Sequence, residues 1–140
     1  MRCFAFDVGD RRIGLAVSDP LNYTAQGIQT FIRSDDFDLD IQKLAEIVKV
    51  YDPCRLIFGL PRNMNGSEGF QAENVRDFAD KLCAVLDKTP IFIDERLTTV
   101  SANRILIEGN VKRDKRKGVV DKLAATIILQ GFLDSNGGNI

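Results

Sequence analysis

The chain has 140 residues, 44% of them hydrophobic, enough for one domain around a single two- or three-layer core and too short for two. It contains no histidine, which removes Ser-His-Asp and Cys-His catalysis, an imidazole general base and any His-ligated zinc or iron. A formal charge of −1 argues against strong non-specific nucleic-acid binding, which draws on an excess of Lys and Arg. No run of apolar residues is long enough to span a bilayer, and MRCFAFD lacks the apolar core of a signal peptide, so a soluble, cytoplasmic protein without membrane contact is expected. Cys3, Cys54 and Cys83 are odd in number, far apart and set among apolar residues, which predicts buried free thiols.

Arg2–Asp7, Ile13–Ser18 and about Gly27–Ile32 read as three consecutive strands, joined by short Gly- and Asn-containing connections that permit antiparallel pairing. The period then changes. Phe37, Ile41, Leu44, Ala45, Val48 and Tyr51 recur at helical spacing and stop before Pro53, and Leu56–Gly59 is a short buried strand. Val75, Phe78, Ala79, Leu82 and Leu86 mark a second helix, and Ile91–Asp94 another strand. Helices follow at about Thr99–Ile107 and Val119–Leu133, the last with Val120, Leu123, Ala124, Ile127 and Ile128 as its buried stripe. No internal repeat or low-complexity linker interrupts the chain, and Ser135–Ile140 is a short tail.

Three strands followed by βαβ-type crossovers predict an α/β fold with a mixed sheet, the strands at 2–7, 56–59 and 91–94 parallel and helices packed on it. Ligand sites in such sheets collect at the carboxyl ends of the parallel strands. Asp7 stands at one such end and Asp94 and Glu95 at another, while the loop Leu60–Gly69 follows the third. Gly9 either lets the turn after Asp7 approach a bulky group such as a phosphate, or closes a hairpin in an Asx-type turn. Asp121 opens the last helix, where the helix dipole favours an acid in any case. If Asp7, Glu95 and Asp121 converge, bound divalent cations would relieve their mutual repulsion. Hard carboxylate oxygens suit Mg²⁺ or Mn²⁺, and those ions suit phosphate chemistry.

Charge is patterned along the chain. The basic run KRDKRK (Lys112, Arg113, Lys115, Arg116 and Lys117 around Asp114) precedes Asp121 and is ended by Gly118, whereas Asp35, Asp36, Asp38 and Asp40 cluster in a distant connection. Such a run reads either as a solvated loop or as a flexible phosphate-gripping loop beside the acid. Arg11, Arg12, Arg62 and Arg96 lie near strand ends and could add to it. Asn63, Asn65 and Gly66 offer amides and a tight turn to a phosphate, or form a plain surface turn.

The segments DVGDRRIGLAVSD, GLPRNMNGSEG, IDERLTTVSA and VVDKLAATIILQGFLDS, in this order and spacing, resemble the YqgF (RuvX) family of RNase H-like nucleases. Members of that family are described both as Holliday junction resolvases and as nucleases maturing the 5′ end of pre-16S ribosomal RNA. The resemblance spans Met1 to about Ser135 and implies one nuclease domain over 1–135 with residues 136–140 as tail. It implies a three-layer RNase H-like fold: a mixed five-stranded sheet, three antiparallel strands then two parallel ones, with helices on both faces. Asp7, Glu95 and Asp121 would be the catalytic acids and metal ligands, with Asp94 supporting Glu95 from beside it. Two cations about 4 Å apart would serve an in-line phosphodiester hydrolysis. Relatives commonly carry a small or hydroxyl residue where this chain has Asp10, which either strengthens metal attraction or repels substrate phosphate. Structured RNA is expected as substrate over branched DNA, and symmetrical junction resolution would require a homodimer.

Two other classes share part of this pattern. Actin-like and sugar-kinase folds open with the same strand-Asp-x-Gly-strand, but a chain of 140 residues lacks the second domain that closes over nucleotide. A catalytically silent RNA- or ribosome-binding module keeps the fold, and retention of all three acids speaks against it.

Overall fold

The computed structural model of the chain describes residues 1–61, 69–94 and 113–136, with side chains of the last helix given over 122–135. Strand β1 (Arg2–Val8) pairs antiparallel with β2 (Arg12–Ser18), and β2 pairs antiparallel with β3 (Ala25–Ile32) across a bulge at Leu15/Ala16. The chain continues through α1 (Phe37–Lys49), β4 (Cys54–Leu60), α2 (Phe70–Leu86), β5 (Pro90–Asp94) and α3 (Arg113–Asn136). Strand β4 lies parallel to β1 and β5 parallel to β4, giving the sheet order β3-β2-β1-β4-β5.

Strand alternation sorts the side chains into two cores. Phe4, Phe6, Val8, Leu15, Leu56, Phe58 and Leu60 pack on one face with Leu44 and Val48 of α1 and Phe78 and Leu82 of α2. Phe6 and Phe58 stack there with ring centroids 4.7 Å apart, and each buried ring contributes roughly 1.5–3 kcal/mol. On the other face the sheet shows small residues, Cys3, Ala5 and Ala16 beside Ile57, against Ala125, Ile128, Leu129, Phe132 and Leu133 of α3. These let α3 sit close over β1, β2 and β3. The approach is close at Gly27, where a Cβ would lie 2.8 Å from Lys122 Cγ and 3.0 Å from Thr126 Oγ1.

The acidic connection before α1 is helix-start chemistry. Asp36 caps α1 by accepting from the Leu39 amide at 3.1 Å, and buried Asp40 accepts from Ser34 N at 2.9 Å and Ser34 Oγ at 2.8 Å. Asp38 pairs with Lys81 of α2. All three cysteines are free and buried, as their apolar settings imply. Among the described residues no helix is long and apolar enough to cross a membrane.

The last helix departs from the sequence reading. It begins at Arg113, so Arg113–Lys117 lie on helix rather than in a loop, and Asp121 stands about two turns inside α3 instead of opening it. Lys and Arg are good helix formers, and the single Gly118 costs only about 1 kcal/mol against Ala, which does not break a helix anchored by packing further on. The dipole argument for Asp121 therefore lapses, because that effect is confined to the first turn. The buried stripe also turns by one position: Ala124, Ala125, Ile128, Leu129, Phe132 and Leu133 are buried, while Leu123 and Ile127 are only half-buried. The expected helix at Thr99–Ile107 lies outside the described residues.

Candidate active site

Asp7 is half-buried near the carboxyl end of β1, the central strand. It alternates with Cys3 and Ala5, which places it on the face covered by α3. Directly across the antiparallel ladder its partner is Gly14 of β2. On the parallel side Phe6 pairs with Phe58, and the register carried one residue further sets Gly59 of β4 beside Asp7. The carboxylate is thus flanked on both sides by residues without side chains, where cross-strand Cβ atoms would otherwise stand about 5 Å away. A glycine inside a strand often marks the close approach of a ligand or another backbone.

The helix bearing Asp121 crosses this same face. Asp121 precedes buried Ala125 by four residues, and so falls in backbone register with the stripe that seats α3 on the sheet. Asp94 ends β5 and pairs in register with Leu60. It alternates with Ile93 and follows Phe92 by two, and Phe92 packs with the α1/α2 core whereas Ile91 and Ile93 pack with the α3 core. Asp94 therefore stands at the same sheet edge as Asp7 but on the opposite face. Glu95, Arg62, Asn63, Asn65, Gly66, Arg96 and Lys112 lie outside the described residues, as do the side chains of Arg113, Lys115, Arg116, Lys117 and Asp121. Among the described residues no three potential ligands gather.

The turn after Asp7 explains Gly9 without a ligand. Its amide donates to Arg12 O at 2.8 Å, and a Cβ at Gly9 would lie 2.8 Å from that same oxygen. Glycine is needed there for the turn to close. Arg11 is exposed on this turn and Arg12 half-buried at its end. Asp10 reaches toward α2, where Gln71 Nε2 donates to it at 3.5 Å, and lines a surface recess of about 470 Å³ with Arg33, Phe37, Asn74, Asp77 and Phe78. This extra acid belongs to the side of α1 and α2, away from the face of Asp7. Arg33, absent from the sequence reading, donates from Nη1 to Gly9 O at 2.8 Å.

The opposite edge of the sheet is closed by turn chemistry. Asp19 accepts from the amides of Thr24, Tyr23 and Leu21, and these bonds, Thr24 first, hold its carboxyl below the usual range. Buried Ser18 accepts from Cys3 N at 2.8 Å and donates to Asn22 Oδ1 at 2.6 Å.

A five-stranded sheet with this order and mix of directions, helices on both faces and an acid at the end of its central strand make this an RNase H-like α/β protein. The solved structure of T. thermophilus RuvC in complex with a Holliday junction substrate has the same fold, with a TM-score of 0.60 over 98% of this chain and 96% of that one, at 11% identity. Residues 1–135 match the model of the RuvX family, described as Holliday junction resolvase, and the chain belongs to that family. The Clostridium tetani protein named "Putative pre-16S rRNA nuclease" is 51% identical over 135 residues, covering 96% of this chain and 97% of the relative. Proteins of the same name from Clostridium novyi and Moorella thermoacetica are 54% and 51% identical over 136 and 139 residues, covering 96% and 99% of this chain and 99% of each relative.

Proposed function

We propose that residues 1–135 act as one cytoplasmic nuclease domain, dependent on Mg²⁺ or Mn²⁺, that hydrolyses phosphodiester bonds at the 5′ end of precursor 16S ribosomal RNA. The observation that carries this reading is the setting of Asp7: a half-buried carboxylate at the end of the central strand, flanked by Gly14 and Gly59 and on the face crossed by the helix of Asp121. The name shared by the close relatives supplies the substrate class.

The donor set fits the cations. Asp7, Glu95 and Asp121 offer only hard carboxylate oxygens, and the two glycines put no cross-strand side chain beside Asp7. Bound divalent cations, two in number in this reading, would activate a water and stabilise the leaving oxyanion of an in-line displacement. The protein's part is to hold the carboxylates on rigid elements and to orient the phosphate, for which Arg11 and Arg12 on the β1–β2 turn stand nearest to Asp7 in the chain. Arg62, Asn63, Asn65, Arg96 and the basic run from Lys112 to Lys117 complete the proposed grip on RNA. No protein nucleophile is required. The family description favours a second reading, resolution of four-way DNA junctions, for which the chain would act as a homodimer.

The test is incubation of wild type and Asp7→Asn with end-labelled precursor 16S RNA in Mg²⁺ and in Mn²⁺. Metal-dependent shortening at the 5′ end by wild type, and its loss in Asp7→Asn, is the expected result. Binding without cleavage by wild type would instead identify a silent RNA-binding module.

A further inference from the structure

Arg33 lies immediately beyond β3 and is bonded twice to the turn that follows Asp7. Its backbone amide donates to Arg11 O at 2.9 Å, and its Nη1 donates to Gly9 O at 2.8 Å. Its guanidinium carbon lies 5.5 Å from the ring centroid of Phe78 in α2 and 6.0 Å from that of Phe37 in α1. Those two rings meet edge to face with centroids 6.0 Å apart, so they form one aromatic seat shared by both helices. Asp10 and Asp77 line the same recess. One residue therefore ties the two helices to the backbone of the β1–β2 turn.

We propose that Arg33 is a positioning residue for the Asp7 site: it fixes the turn of residues 9–12 against α1 and α2, and thereby the placement of Asp7, two residues before Gly9, and of Arg11 and Arg12 on the turn itself. Arg11 is carried by the turn and Asp7 and Arg12 by the strand ends that it joins, so holding the turn backbone from outside bears on all three, and a misplacement of about 1 Å can cost on the order of a hundred-fold in rate. The catalytic half of this assignment rests on the nuclease reading above. Its structural half does not.

The experiment compares wild type with Arg33→Met, which keeps the stem over the rings and loses the donors, and Arg33→Lys, which keeps the charge and a donor but not the planar fork. Four quantities are read: the melting temperature, exchange of the Gly9 amide, kcat, and RNA affinity without divalent metal. Arg33→Met should melt within about 5 °C of wild type, exchange the Gly9 amide about ten-fold faster, and lose about ten-fold in kcat with less than about a two-fold change in affinity. Arg33→Lys should recover most of the kcat. Unchanged exchange, or faster exchange with wild-type kcat, overturns the assignment. If wild type cuts no RNA or DNA, the nuclease reading fails by itself, and exchange alone then decides: faster exchange in Arg33→Met sustains the positioning role and unchanged exchange ends it.

Discussion

Asp7 and Gly14 stand directly opposite each other on β1 and β2, so the cross-strand neighbour of the carboxylate has no side chain. The register of β1 and β4 carried one residue past Phe6 and Phe58 sets Gly59 on the other side, so neither neighbouring strand puts a side chain beside Asp7. Two glycines beside the end of the central strand weaken the sheet locally, since glycine neither packs nor stiffens a strand. The metal site proposed at this carboxylate would account for that weakness.

Asp7→Asn should abolish most hydrolysis, a fall on the order of a hundred-fold or more in kcat, without lowering the melting temperature. The side chain sits at a strand end and not in either core, so neutralising it removes no apolar packing. Glu95→Gln and Asp121→Asn should behave alike. Steady-state cleavage and thermal melting measured on the same preparations check this, and full activity in a folded Asp7→Asn protein would sink the mechanism.

Millimolar Mn²⁺ should raise the melting temperature of wild type, because an ion that prefers the assembled carboxylates to the unfolded chain stabilises by mass action, about 2.7 kcal/mol at a hundred times its Kd. The Asp7→Asn, Glu95→Gln, Asp121→Asn triple variant should lose the response. Gly14→Val, which places methyl groups next to Asp7, should diminish it while costing about 1–3 kcal/mol through overpacking. An equal shift in wild type and triple variant would remove the acids from consideration as the metal site.

Replacing Lys115, Arg116 and Lys117 by Gln should leave helical content unchanged, since Gln has nearly the helix propensity of Lys and Arg and these residues lie on α3. RNA affinity should fall, with the slope of log K against log salt shallower by about 0.7–0.9 for each phosphate that is no longer neutralised. Binding titrations between low and moderate salt give that slope. No change in it would reduce the run to solvation.

The sheet was legible in the sequence because its signals are local: apolar runs for β1, β2, β4 and β5, and a clean change of period at Phe37. Its mix of directions also followed, since short connections permit antiparallel neighbours and βαβ crossovers enforce parallel ones, whereas helices on both faces came only from the family resemblance. The start of α3 was not legible because Gly118 and dense charge read locally as a breaker, whereas the helix is anchored by Ala125 and Leu129 more than a turn away. Asp7 announced itself by chemistry, an acid ending an apolar strand. Gly14 and Arg33 did not, because their roles come from register and from the meeting of distant segments.

The cysteines give a pH-dependent prediction. Burial pushes the Cys54 thiol up to about 12, with the neighbouring Asp52 carboxylate adding to it, and burial with Asp80 pushes Cys83 up to about 11. Below the ordinary thiol pKa of about 8.5 both states keep these protons, so the thiols make stability independent of pH there. As pH rises from that value through about 12, the unfolded chain ionises first and folding stability is lost. Urea melts at about pH 7.5 and about pH 10, on either side of the ordinary thiol pKa, should show a drop that Cys83→Ala lessens. Thiol reagents at neutral pH should label the protein only as it unfolds. Rapid labelling of Cys54 in the folded protein would contradict the burial argument.

The last prediction separates the function classes by stoichiometry and substrate. One domain of this size carries one set of candidate acids, and symmetrical cutting of a four-way junction needs two such sets related by a two-fold axis. Trimming one end of an RNA needs only one. Precursor 16S RNA should therefore be cut by the monomer, at a rate per chain independent of protein concentration, while paired junction cuts, where seen, should grow with the dimer fraction measured by light scattering. Paired, symmetrical cutting by a strict monomer would contradict this geometry. ATP should be untouched, and ATP hydrolysis that disappears in Asp7→Asn would move the assignment to the kinase-like class.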